Sequence, residues 1–286
     1  MLAGLALPAL ALAQASSSTP LRIIMFGAHP DDCDIRSAGT AAKWVALGHK
    51  VRFVSVTNGD AGHHEMGGGM LAMRRRAEAQ EVGKRLGIEY VVLDNHDGEL
   101  VPSLDVREQI IQQIREWNAD LVLGPRPNDY HPDHRYTGVL LQDAAFMVTV
   151  PNIETRTPAL KKNPVFLYYQ DGFQRPNPFR PDIVVNIDDT IDKKIDALDA
   201  HVSQFYEWLP WHAGYLDQVP KDPAARKAWL KKSRGGNIAP SVREALVKTY
   251  GQDVGAKVQH AEAFEICEYG SRPSEADIKR LFPFLP

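Results

Sequence analysis

The chain has 286 residues, of which 44% are hydrophobic, 24% charged and 8% aromatic, the composition of an ordinary globular protein and not of a disordered or collagen-like chain. At roughly 150 residues per domain, that length makes one large domain or two small ones. Lysine plus arginine at 33 against aspartate plus glutamate at 36 leaves a net charge of −3, so no global charge recruits nucleic acid or an anionic membrane; with Cys33 and Cys267 as the only cysteines, a disulfide-rich scaffold and a four-cysteine zinc site are excluded and one bridge stays open.

Met1 to Ala13 is almost wholly apolar, and Gln14 to Pro20 is small and polar. A run of roughly a dozen apolar residues suits a secretory signal and is shorter than the roughly 20 that span a bilayer; Ala11-Leu12-Ala13 and Ala13-Gln14-Ala15 both offer small-x-small cleavage patterns. The expectation is a leader over 1–20, an exported protein, periplasmic or secreted, and a single domain over 21–286 without an integral membrane span.

Leu21 to Phe26 is an aliphatic run that ends in Gly27 and a turn, and Ala38 to Leu47, closed by Gly48, reads as a helix. The pattern repeats: Val51 to Thr57 as a strand, Asn58 to Met70 as a glycine-rich loop, Leu71 to Leu86 as an amphipathic helix stopped by Gly87. Tyr90 to Leu93 and Leu121 to Leu123 read as further strands, with Val106 to Trp117 a helix between them. Beyond residue 140, Val165 to Tyr169 and Ile183 to Ile187 read as strands, Ile191 to Trp208 as a helix, and Leu209 to Pro240 as a surface excursion. Alternating strands and helices give an α/β fold, a mostly parallel, Rossmann-like sheet with helices on both faces, followed by a less regular C-terminal third. Such sheets bind ligands at the carboxyl ends of their strands, here just after Phe26, Thr57, Leu93 and Leu123.

His29-Pro30-Asp31-Asp32 stands at the first of these ends, and His131-Pro132-Asp133-His134 follows the fourth. His-Pro-Asp alone is also turn chemistry, because proline fixes φ and aspartate caps the next turn. Two such clusters on one sheet edge point instead to a metal. His29, Asp32 and one histidine of the second cluster make an N,O,N set, the ligand type and number of a catalytic zinc site with a fourth position left for water; Fe(II), Co(II) and Ni(II) also suit it. The aspartate that does not bind metal is then free to act as a base, and the remaining histidine to stabilise an oxyanion and protonate the leaving amine. No G-x-S-x-G elbow, P-loop or G-x-G-x-x-G offers a rival template.

AHPDD after the first strand, TNG after the second, R-x-x-E then LG on the next helix, and HPDH after the fourth together resemble the PIG-L/LmbE family of metal-dependent deacetylases. The resemblance covers about residues 21–140 and continues in Ala197 to Gln204 and Ala261 to Phe264. It implies a Rossmann-like sheet and removal of an acyl group, usually acetyl, from the amine of a sugar. Residue by residue it implies zinc held by His29, Asp32 and His134, Asp31 as general base, His131 facing the substrate carbonyl with Asp133 orienting it, and sugar contacts from Arg75 and Asp97. The sequence departs from the pattern at Cys33, Asp34 and Arg36; Cys33 reads as a buried thiol under the site, and Asp34 as support for a loop or ligand.

His63-His64-Glu65 reads as a glycine-rich loop flanking the pocket or as a second metal cluster, and His201 as a pocket or a helix-end residue. Phe205, Tyr206, Trp208 and Trp211 read as a helix packing its apolar face, with sugar stacking as the alternative. Two rivals to amino-sugar deacetylation remain: the same chemistry on a non-acetyl or non-sugar amide, and a non-catalytic carbohydrate- or metal-binding protein.

Overall fold

The computed structural model describes residues 19–234 and 238–286; the apolar run of the expected leader lies outside the described residues. The strands are β1 (Arg22–Gly27), β2 (Lys50–Thr57), β3 (Glu89–Asn95), β4 (Leu121–Gly124), β5 (Val165–Tyr169), β6 (Ile183–Asn186) and β7 (Ala261–Gly270), in one sheet of order β3-β2-β1-β4-β5-β7-β6. The first five in that order run parallel, while β7 is antiparallel to both β5 and β6. β1 is central because it is apolar on both faces: Ile23 and Met25 enter one core and Ile24 and Phe26 the other, as the two-residue period of a strand requires. All four are fully buried, and each contributes about 1.5–3 kcal/mol of apolar burial.

Helices α1 (Asp32–Ala46), α2 (Gly68–Leu86), α3 (Leu104–Trp117), α4 (Pro132–Met147) and α5 (Ile191–Ala200) follow in chain order. α1 and α5 cover the core that contains Met25 and Phe53, and α3 and α4 the one that contains Phe26 and Val54. The mostly parallel sheet between two helical layers is the expected fold. No helix among the described residues is long and apolar enough to cross a membrane. Both cysteines are free, Cys33 in the first core and Cys267 in the second, so the sheet stands between them and they do not pair.

Several elements differ from the sequence-based expectation. α1 begins at Asp32 and not at Ala38, because its first turns bury polar residues under the site. The stretch Ile191–Trp208 is α5 followed by a π-helical turn, Ser203–Trp208, with His201 at the break. The expected surface excursion contains the helix Pro223–Arg234, which buries Leu230. α4 and β7 went unread in the sequence.

Candidate active site

β1 ends where the chain must turn sharply into α1. Gly27 permits this, since a Cβ there would lie 2.6 Å from that of Asp32. The turn aims the two neighbouring carboxylates apart. Asp32 Oδ2 accepts the backbone N–H of His29 at 2.8 Å and faces the imidazoles of His29 and His134, whereas Asp31 Oδ1 accepts from Arg75 Nη2 at 3.2 Å. From the other side, α4 starts on Pro132 and His131 caps it, its Nδ1 accepting the N–H of Asp133 at 3.2 Å. The cap places His134 on the first turn, over β1.

Three donor atoms converge there. His29 Nδ1 lies 3.2 Å from His134 Nε2 and 3.6 Å from Asp32 Oδ2, and His134 Nε2 lies 3.4 Å from Asp32 Oδ2. Metal bonds of about 2.0–2.1 Å in a tetrahedron separate ligand atoms by about 3.3–3.4 Å, so the triangle fits an ion. The outer nitrogens sharpen the argument. His29 Nε2 is 3.0 Å from Asp97 Oδ1 and 3.2 Å from Asp133 Oδ2, and His134 Nδ1 is 3.1 Å from Asp129 Oδ1. An ionised carboxylate only accepts, so each outer nitrogen carries its proton and each inner nitrogen presents a lone pair. Two inner nitrogens and a carboxylate at this range can share a cation, either a metal ion or the proton that the raised pKa of His29 favours. His29, His131 and His134 also present ring nitrogens close together, as do the ligand atoms of His29, Asp97, His131 and Asp133; a site of potential metal ligands is therefore present.

The electrostatics follow from the same contacts. Burial disfavours charge on His29, but its contacts with Asp133, Asp32 and Asp97 outweigh this and hold its pKa well above the usual imidazole value. Burial opposes the charge of Asp32 as well, yet His134 and His29 hold its carboxyl well below the carboxylate range. Asp97, also against burial, is brought down to about 2 by His29 and Arg75. Asp31 moves the other way: burial raises its pKa, Arg75 opposes the rise, and Asp32 adds to it. His131 is lowered by burial and by its neighbours His29 and His134, and so stays neutral. With Nδ1 accepting from a backbone N–H, neutral His131 carries its proton on Nε2.

The structure brings all eight sequence-predicted residues to one place, with two corrections of detail. The Asp133 carboxylate does not orient His131. It accepts from Gly98 N at 2.7 Å and Leu100 N at 3.3 Å and turns toward His29; it is the backbone N–H of Asp133 that holds His131. Arg75 and Asp97 are buried against each other, 3.5 Å apart. The Arg75 guanidinium is occupied by Asp31, Asp97 and the carbonyls of Gly59 and Pro30, so it bridges two carboxylates and offers no free face to a sugar. Gly59, at φ 73°, is needed for this close approach, because a Cβ there would lie 2.6 Å from the guanidinium.

Around this centre, Glu78 of the R-x-x-E pattern accepts from the backbone N and hydroxyl of Ser203, and Gln204 donates to Gly62 O. His63 and Arg74 both reach Glu207, and His64 stacks on Trp211 with centroids 4.9 Å apart. The glycine-rich loop is thus fastened to the π-helical turn. His201 is fully buried with Nε2 3.2 Å from Asp34, which also accepts from Tyr90. Asp129, the residue that orients His134, is not among the residues singled out from the sequence; its position two residues before HPDH was the available signal.

A half-buried donor set at the carboxyl edge of a parallel sheet, with a separate carboxylate beside it, defines a hydrolytic site of the metal-dependent kind. The sequence description of the PIG-L family, GlcNAc-PI de-N-acetylase, matches residues 24–145. Diacetylchitobiose deacetylase of Thermococcus kodakarensis is 32% identical over 203 residues, 66% of this chain and 73% of that protein. A probable N-acetyl-alpha-D-glucosaminyl L-malate deacetylase 2 of Bacillus anthracis is 28% identical over 188 residues, 62% of this chain and 78% of that one. The structure of N,N'-diacetylchitobiose deacetylase from Pyrococcus horikoshii, complexed with its inhibitor MPG, superposes with a TM-score of 0.63 at 26% identity, over 86% of this chain and 83% of that one. The chain belongs to the PIG-L family, and it is a hydrolytic deacetylase.

Proposed function

We propose that the protein is a zinc-dependent hydrolase that removes an N-acyl group, in the first instance acetyl, from an amino sugar or its conjugate. The observation that carries this reading is the separation of roles between adjacent residues: Asp32 completes a metal-sized triangle with His29 and His134, while Asp31 turns away from it to Arg75. A binding protein needs the first and has no use for the second. The relatives act, by their names, on diacetylchitobiose and on N-acetylglucosaminyl malate, which supports an N-acetylated amino sugar as substrate.

His29, Asp32 and His134 would hold a zinc ion, which would supply Lewis acidity toward water and toward the amide carbonyl. Asp31, kept in place by Arg75, takes a proton from the attacking water. His131 points its Nε2–H toward the pocket, where a hydrogen bond to the developing oxyanion lowers the barrier. Asp31 then passes the proton it took from water to the leaving nitrogen, so that a free amine and a carboxylate result, while neutral His131 keeps its Nε2 proton and only donates a hydrogen bond. With the apolar run at Met1 to Ala13, the enzyme works outside the cytoplasm.

The test is release of free amine by purified protein from a panel of N-acetylated amino sugars and their conjugates, with chelator and with added zinc. Chelator-sensitive release that zinc restores is the expected result. Zinc-bound protein that releases nothing from any sugar, yet cleaves a non-sugar amide, would replace the substrate class and keep the chemistry.

A further inference from the structure

The recess against Asp32 and His134 is also lined by Arg36, Gln170 and Asp171. The same three residues form part of the wall of a second cavity of about 620 Å³, a volume within the usual range for small-molecule sites. It lies at the same edge of the sheet, beyond β5, between α5 and the ends of β6 and β7. A substrate seated at the metal site therefore has room to extend into it.

The charges around this cavity do not cancel. Asp171 is held by two bonds of 2.6 Å from Arg126. Glu262 is satisfied by Lys194 and by the N–H groups of Gly39 and Thr40, and His260 pairs with Asp188. Two guanidiniums are left over. Arg36 donates once, to the carbonyl of Gln170 at 2.8 Å, and Arg234 lies over the ring of Phe205 at 4.9 Å; among the described residues neither forms an ion pair. Arg36 and Arg234 both line this cavity. Guanidiniums that form no ion pair among the described residues keep their forked donors for the oxygens of a carboxylate or a phosphate.

We propose that Arg36 and Arg234 bind an anionic group on the part of the substrate remote from the amide, so that the preferred substrate is an N-acyl amino sugar conjugate bearing a carboxylate or a phosphate. This rests on the deacetylase reading above and narrows its substrate class.

The experiment uses three glycosides of N-acetylglucosamine that differ only at the end of the aglycone: a carboxylate, its methyl ester and a phosphate monoester. For each, kcat/KM for amine release and the calorimetric Kd are measured on the wild type, Arg36→Gln, Arg234→Gln and Arg36→Lys. The wild type is expected to favour at least one anion over the ester by tenfold or more, and the carboxylate and phosphate arms decide which. Each glutamine variant is expected to reduce that ratio at least threefold, while Arg36→Lys keeps part of it. Because Arg234 is exposed at a helix end, its variant carries the test if Arg36→Gln fails to fold. A wild-type ratio near one, or a ratio preserved in both glutamine variants, overturns the proposal. If no glycoside releases amine, the deacetylase reading fails, and binding alone decides: an anion preference lost in the variants upholds the site, and equal or absent binding overturns it.

Discussion

Asp129 offers a sharp test of the metal centre, because it touches no proposed reacting atom and reaches the donor triangle through His134. Its Oδ1 accepts twice, from His134 Nδ1 at 3.1 Å and from the backbone N–H of His131 at 3.0 Å. Replacing Asp129 by alanine removes the acceptor that fixes the His134 tautomer, and the imidazole is then free to carry its proton on Nε2, the atom that faces His29 and Asp32. Losing such a partner weakens metal binding about 10–100-fold, or about 1.4–2.7 kcal/mol. Asp129→Asn keeps an oxygen where Oδ1 stands and loses only the charge, so its loss is expected to stay under about tenfold on the same scale. Competition with a chromophoric chelator gives the zinc Kd of wild type and both variants, and thermal melts of the metal-free forms control for folding. An alanine variant within twofold of wild type, or an asparagine variant weaker than the alanine one, would refute the inference that the outer carboxylates set the inner lone pairs.

Three further outcomes follow from the same contacts. Arg75→Met leaves Asp31 and Asp97 buried without their cation, and urea denaturation should show a loss of about 3–5 kcal/mol; an unchanged midpoint would show that the bridge carries no stability. His131→Ala removes the Nε2–H donor and should lower kcat about 10²–10³-fold with KM nearly constant, so a loss confined to KM contradicts its place at the carbonyl. His201, against burial, has its pKa raised above 6.5 by the contact with Asp34. Its share of stability is therefore complete below the unfolded-state value and declines as pH rises through the folded one. The fall in urea midpoint across that window should be shallower in His201→Gln than in wild type, and equal slopes would remove His201 as the cause.

How much of this was legible in the sequence depends on where side chains point. β4, β5 and β1 between its end residues Arg22 and Gly27 are continuous apolar runs because both faces are covered, and such runs read directly, as does the β-branched pattern of β2 around Arg52 and Ser55. β7 alternates apolar residues with Glu262, Glu265 and Glu268, and its one buried carboxylate, Glu262, is satisfied by distant N–H groups of α1 and by Lys194. Local pattern cannot show such partners. The first turn of α1 was lost for the same reason: Asp34 and Ser37 are buried polar residues that read as loop. At the site, residue types and order were enough to gather His29, Asp31, Asp32, His131, Asp133 and His134. What they did not show was which atom faces which. The exchange of roles between the side chain and backbone of Asp133, and the burial of Arg75 against Asp31, depend on the loop at Gly59 and the turn at Gly98, whose paths no short motif sets.

The central claim is that Asp31 performs chemistry which the metal triangle alone does not. Asp31→Asn should bind zinc with the stoichiometry of wild type, since His29, Asp32 and His134 are untouched, and should lose about 10²–10⁴-fold in the rate of amine release from an N-acetylated amino sugar. Zinc content and turnover measured on the same preparation make the comparison direct. Retained zinc with lost turnover is the outcome the account predicts; retained zinc with undiminished turnover would contradict it.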